Sequence, residues 1–164
     1  MGKGYNFEQL KAEMIARSSD QVWEQAKMEW DLRDVFVVNQ DQICLCGHHP
    51  IRQICTIRNQ INQNDAEVGN VCVQKFLGMR SRRILATLKK VRENPEKSLS
   101  KAGIAMFTKL GIISQIDSED YLSFSLKRKY LTPRQRQLKE RLNQAVLEYA
   151  DERARQSENN FRNL

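Results

Sequence analysis

No stretch of this chain is apolar for the length that a membrane-spanning helix needs, and residues 1–10 (MGKGYNFEQL) lack the apolar core of a secretory signal. Met1-Gly2 opens like an N-myristoylation signal, but Asn6 stands where Ser or Thr is required. Together these absences predict a cytoplasmic protein with no membrane partner. Internal repeats and low-complexity tracts are also missing, so 164 residues with 40% hydrophobic and 29% charged content predict one compact core rather than two large domains. Cysteine is absent outside residues 44–72, and nothing points to the oxidising compartment in which disulfides persist. His-x-Glu, HExxH and Cys-x-x-Cys are missing as well, which removes the usual signatures of catalytic zinc. Asp65 and Glu67 are nearby in sequence, and the hairpin turn and arm that hold them favour solvated side chains. No enzymatic function is expected.

What is present is clustered. Cys44, Cys46, Cys55 and Cys72 supply the four soft ligands that a structural zinc ion takes in tetrahedral geometry. Cys44-Leu45-Cys46-Gly47 has the form of a tight turn aiming two thiolates at one metal, with glycine relieving backbone crowding. Cys72 opens the helical segment VCVQKFLG, where the positive end of the helix dipole favours a thiolate. C-x-C is one residue shorter than the commoner spacing, and Cys55 lies in an apolar strand where it also reads as a small buried hydrophobe. His48 and His49 are therefore alternative fourth ligands.

Periodicity places these ligands in an α+β, mostly helical fold. Phe7, Leu10 and Met14, then Val22, Trp23, Ala26 and Trp30, recur at helical spacing around a break at Ser18–Asp20. The tryptophans read as core anchors. Val35–Val38 is a short buried strand; Ile51–Asn59 and Ala66–Gly69 are the arms of a hairpin around INQND. Ser81 caps a helix over RRILATLKKVREN that Pro95 ends. Ser98 or Ser100 starts the next, which stops at Gly111, and Asp117 or Ser118 caps one running to Tyr130. Thr132-Pro133 opens a long final helix that frays after Gln156. The resulting division is an N-terminal helical segment at 1–34, a zinc-binding module at 35–78, a helical region with a basic surface at 79–156 and a flexible tail at 157–164. Met106 to Lys129 could be read as helix-turn-helix, but the connection expected from Gly111 to Ser118 is longer than that motif uses.

Residues 43–77 resemble a treble-clef-like zinc module found in uncharacterised proteins of bacteriophages, prophages and large DNA viruses. The resemblance rests on C-x-C-G at Cys44–Gly47, Pro50-Ile51, Ile57 with Asn59, and Val68-Gly69 followed by Cys72 and Phe76. LTPRQRQLKERLNQAVL is similar to a helix that accompanies such modules. Gln63 and Asn64 stand in the turn where they usually carry glycine. The resemblance implies one zinc ion and a phage-like context; it implies no reaction.

A formal charge of +7 and a pI of about 9.4 point to polyanionic partners. Every charged residue from Lys75 to Arg92 is basic, and a second basic cluster runs from Lys127 to Arg141, relieved only by Glu140. The expected function is a non-enzymatic, zinc-stabilised accessory protein that binds DNA or RNA. Lys75, Arg80, Arg82, Arg83, Lys127, Arg128 and Arg134 are the candidate phosphate contacts, with Tyr121, Phe124 or Tyr130 for base stacking. The alternative is an adaptor or inhibitor docking on a host protein, its partner face built from the tryptophans and Glu24, Glu29, Asp31 and Asp34.

Overall fold

Four consecutive residues of one strand, Ile54 to Ile57, are buried, which only a strand covered on both faces and paired on both edges achieves. That strand is β2 (Ile51–Asn59), the centre of an antiparallel sheet ordered β1-β2-β3. In the computed structural model, which describes residues 2–127 and 130–164, β1 is Trp30–Gln42 and β3 is Asp65–Gly69. Val35 lies opposite Cys55, and Cys55 opposite Val68. The fold is α+β, 56% helical around this small sheet.

The chain divides into two compact units, residues 1–81 with 154–164, and residues 82–153. In the first, α1 (Gly2–Ala16) buries Leu10 and Met14, and Phe7 packs edge-on against Trp23 and tilted against Phe76. The helical spacing expected from Val22 to Trp30 stops early. After the single turn α2 (Trp23–Ala26) and a 3₁₀ turn (Lys27–Glu29), Trp30 opens β1. The reason is Glu29, whose buried carboxylate accepts from the Ser19 and Asp20 backbone N–H groups and from Asn59 Nδ2 at the end of β2. It satisfies the loop donors from outside, so no longer helix is needed. The hairpin turn carries Gln63 at φ 65°, the left-handed conformation for which glycine is usual. Beyond β3, α3 (Asn70–Leu77) ends at Gly78 with φ 66°. Ser81, expected to cap the next helix, is buried and donates its hydroxyl hydrogen to Asn70 Oδ1.

The second unit is helical: α4 (Arg82–Glu93), α5 (Lys101–Lys109), α6 (Gln115–Phe124) and the first part of α7 (Pro133–Arg162). Ile84, Leu85, Leu88 and Val91 form the buried stripe of α4. The cap of α6 is Ser114, whose Oγ accepts the Asp117 N–H, so the helix starts before the expected Asp117 or Ser118; it ends at Phe124 rather than Tyr130. Thr132 and Gln135 form a reciprocal capping box at α7. The tail does not fray after Gln156. Helix α7 continues to Arg162 in the first unit, where Ser157 is buried with its hydroxyl beside Gln42 of β1 and Glu67 of β3.

The two units differ in charge. The first contains 11 basic and 11 acidic residues, the second 16 basic and 9 acidic, so the whole surplus of +7 belongs to residues 82–153.

Candidate metal centre and basic surfaces

The segment between β1 and β2 closes on itself: the Cys44 N–H donates to the His48 carbonyl at 2.9 Å and the Gly47 N–H to the Cys44 carbonyl at 2.8 Å. Gly47 has φ 84°, a left-handed conformation for which this turn requires glycine, and the mobile end of the Gln9 side chain of α1 lies against it. The turn places Cys44 and Cys46 beside Cys72 in the first turn of α3. All three sulfurs lie within 4.8 Å of one another and all three side chains are buried. The Cys72 and Cys46 sulfurs are 3.3 Å apart, far beyond a disulfide bond length, and the cysteines are free thiols. Backbone donors point at the cluster: Gly69 N–H at 3.2 Å from Cys44 Sγ and His48 N–H at 3.4 Å from Cys46 Sγ.

This crowding splits the acidities. A hydrogen bond from Cys72 draws the Cys44 thiol down to about 5, with the Cys46 and Gly69 N–H groups helping and burial opposing. Cys72 is raised because its hydrogen bond to Cys44 favours the protonated form, and burial adds to that; Cys46 is raised, chiefly by burial. One thiolate is accommodated and two more are held back by burial and mutual repulsion, the imbalance that a bound cation relieves. Zinc–sulfur bonds of about 2.3 Å place tetrahedral sulfurs about 3.8 Å apart, within the spread of this cluster. The three cysteines could therefore hold a metal ion.

Cys55, expected as the fourth ligand, is not brought to the cluster. Adjacent residues of a strand face opposite sides, and it is Ile54 that pairs with Gly69, the residue against Cys44 Sγ. Cys55 faces away with Ser81 as its partner, and burial pushes its thiol up to about 12. His48 and His49 are exposed, with neither imidazole in the cluster, but His48 lines a cleft of about 620 Å³ that also contacts Cys44 and Cys72. The carboxylates nearby in sequence are engaged elsewhere: Asp41 pairs with Arg52, Asp65 pairs with Arg33 and Arg58, and Glu67 accepts from Ser157.

The candidate phosphate contacts do not form one group. Lys75 and Arg80 belong to the first unit, and Lys75 lies over the Phe76 ring, 5.2 Å from its centre. Arg82, Arg83, Lys127 and Arg134 are exposed on the second unit; Arg128 lies outside the described residues. Of these, only Lys127 lines the cleft of about 750 Å³ in that unit, where it joins Lys90, Lys97, Arg136 and Lys139. Lys97 is the residue that reading by charge runs misses, because it lies outside both runs. The stacking candidates separate as well: Tyr121 and Phe124 are buried and stacked on each other, whereas Tyr130 is 92% exposed at the cleft. Helix α6 follows α5 after only five residues, shorter than expected, yet its sequence QIDSEDYLSF carries three carboxylates and no cation, which suits no phosphate backbone.

Half of the expected partner face of the alternative reading is internal to the first unit. Trp30 is buried with its indole N–H on Ser18 Oγ, and Glu29 and Asp34 are buried, whereas Glu24 and Asp31 are exposed and Trp23 is half-buried. No helix among the described residues is long and apolar enough to cross a membrane. Compared with family models, with curated proteins and with solved structures, the chain matches none.

Proposed function

We propose that Cys44, Cys46 and Cys72 hold one structural zinc ion and that the protein is a non-enzymatic nucleic-acid-binding accessory protein of phage or prophage type. The order knuckle, β-hairpin, helix, with ligands from the knuckle and the helix start, is that of a treble-clef-like module. His48, which lines the same cleft as Cys44 and Cys72, supplies the fourth ligand in this reading. The role is structural because neither Asp65 nor Glu67 is placed to act as a general base at the metal.

The observation that carries the nucleic-acid reading is the charge asymmetry: a neutral unit with the thiol cluster joined to a helical unit bearing all of the net +7. Helix α4 illustrates it, with a buried apolar stripe and an outer face of Arg82, Arg83, Lys89, Lys90 and Arg92 relieved by Glu93. The test is a fluorescence titration of labelled single- and double-stranded DNA and RNA at several salt concentrations. Affinity should fall steeply and linearly on logarithmic axes as salt rises. Undetectable or salt-insensitive binding to all of them rejects this reading and favours a docked host protein.

A further inference from the structure

The cleft of about 750 Å³ in the helical unit is bounded by the end of α4, the turn after Pro95, the segment before α7 and the first turns of α7. Five cations line it, Lys90, Lys97, Lys127, Arg136 and Lys139, against two carboxylates, Glu96 and Glu140. In this unit Arg92 pairs with Asp151, Arg141 with Asp117 and Lys89 with Glu93. Among the described residues, Lys90, Lys97, Lys127 and Arg136 have no such partner. Four unpaired cations concentrated around one concavity raise the local potential far more than the same charges spread over a convex surface.

The floor is built rather than incidental. Lys139 is only 6% exposed, and its ammonium, which offers three donors, gives one to the Glu96 carbonyl at 2.8 Å. Its pKa is lowered, by burial first, with Arg136 and Lys97 adding to that and the Glu96 and Glu140 carboxylates opposing it in part. A buried cation is costly unless charge or hydrogen bonds compensate it, and an anion in the cleft would supply both.

The rim carries a different chemistry. Leu126 and Tyr130 are each 92% exposed on the cleft's edge, and Tyr130 has φ 59°, a left-handed conformation unfavourable for a bulky side chain. An aromatic ring held out from the surface beside unpaired cations is the combination that binds single strands: cations track phosphates while the ring takes the face of an unstacked base. A duplex keeps its base faces covered and leaves the ring unused.

Resting on the nucleic-acid reading above, we infer that this cleft is the binding site and that its ligand is single-stranded nucleic acid, with phosphates on Lys90, Lys97, Lys127 and Arg136 and one base stacked on Tyr130.

The experiment compares three variants with the wild type, all zinc-loaded and checked for an unchanged thermal melt: Tyr130→Ala, Lys90→Gln/Lys97→Gln/Arg136→Gln, and Lys101→Gln/Lys109→Gln, exposed on α5 of the same unit and outside the cleft. Labelled single-stranded oligonucleotide, its duplex and a nucleoside triphosphate are titrated in turn, and poly-glutamate is added as competitor. Tyr130→Ala should weaken single-strand binding about 5- to 150-fold and leave duplex binding within twofold. The cleft triple variant should lower the magnitude of the single-strand salt slope by about two units, at about 0.7 per lost phosphate contact. Lys101→Gln/Lys109→Gln should change either quantity little. Equal losses in the cleft and Lys101/Lys109 variants leave nucleic-acid binding standing and overturn this site. A triphosphate that binds as tightly as the oligonucleotide, or poly-glutamate that displaces it equally well, overturns the strand as ligand. No binding of any nucleic acid by the wild type rejects both this inference and the reading beneath it.

Discussion

The two units spend their charges differently. In the sheet-containing unit the cations near carboxylates are paired off: Arg33 and Arg58 share Asp65, Arg52 meets Asp41, Arg17 meets Glu13 and Lys27 meets Glu24. Its chemistry is held instead by three thiols buried together. In the helical unit, among the described residues, four of the cations around one cleft have no carboxylate within ion-pair distance, although Glu96 and Glu140 also line it. One unit is thus organised to satisfy a buried cluster and the other to keep an exposed one unsatisfied. Unpaired charge on a surface costs little in stability, whereas a buried polar group without a partner costs much. The comparison predicts that variants of the first unit fail by unfolding and variants of the second by losing a ligand.

The largest effect that sharpens this contrast comes from the cysteines. Cys46→Ser and Cys72→Ser should each abolish retention of about one zinc per chain and unfold the sheet-containing unit, since structural zinc contributes on the order of 10 kcal/mol or more. Cys55→Ala should keep full zinc and cost about 1–2 kcal/mol, because it removes a buried thiol that touches no metal. Elemental analysis beside a thermal melt reads both. Zinc lost from Cys55→Ala would put Cys55 back among the ligands; zinc retained by Cys72→Ser would remove the centre proposed here.

Why Cys55 reads as a ligand in the sequence and not in the structure is a matter of strand parity. Its neighbour Ile54 faces the cluster side through Gly69, and one residue of offset turns a side chain to the opposite face. That signal is in the sequence once β2 is placed, and β2, β3 and α3 are legible there: β-branched residues flank an Asn-rich turn, and glycine follows the helix. What is not legible depends on contacts between distant residues. Trp30 continues a helical spacing locally, but Glu29 is claimed by Asn59, and the chain enters β1 instead. Polar residues after Gln156 look frayed until Ser157 meets Gln42 and Glu67. Tyr121 and Phe124 look available for stacking because nothing local reveals that Tyr121 accepts from the Leu99 N–H and donates to Asn143. Of the four cysteines expected at one metal, three, Cys44, Cys46 and Cys72, do come together. The cleft was foreseeable only as a basic composition, since its cations come from four separate segments.

An intermediate effect is expected at Glu29. The Asn59 side-chain hydrogen bond, followed by the Ser19 N–H, holds this carboxyl below its ordinary value of 4.5. A depressed carboxyl contributes its full stabilisation above the unfolded pKa and loses it as the pH falls through the folded one. The melting temperature of the wild type should therefore fall with acidification below about pH 4.5, and Glu29→Gln should start lower at neutral pH and show a shallower fall. Parallel curves for the two proteins would mean that the Glu29 anion does not hold the entry to β1.

The smallest effect separates the field of the whole protein from the field of one cleft. Asp65→Asn and Glu140→Gln each raise the net charge by one. Asp65 lies in the neutral unit, about one-third exposed and bridging Arg33 and Arg58, while Glu140 lines the basic cleft. Exposed bridges of this kind are worth about 0–1 kcal/mol, so Asp65→Asn should melt only slightly below the wild type. If net charge governs attraction, both variants should tighten single-strand binding alike at low salt. If the unpaired cations of the cleft govern it, Glu140→Gln should tighten binding roughly two- to fivefold, by removing a repulsion within a Debye length of the phosphates, and Asp65→Asn should stay within twofold. Measured at about 0.05 and 0.15 M salt, the gain in Glu140→Gln should shrink as the Debye length shortens. Equal gains in the two variants would show that the charge asymmetry between the units acts through their total rather than through the place where the cations converge.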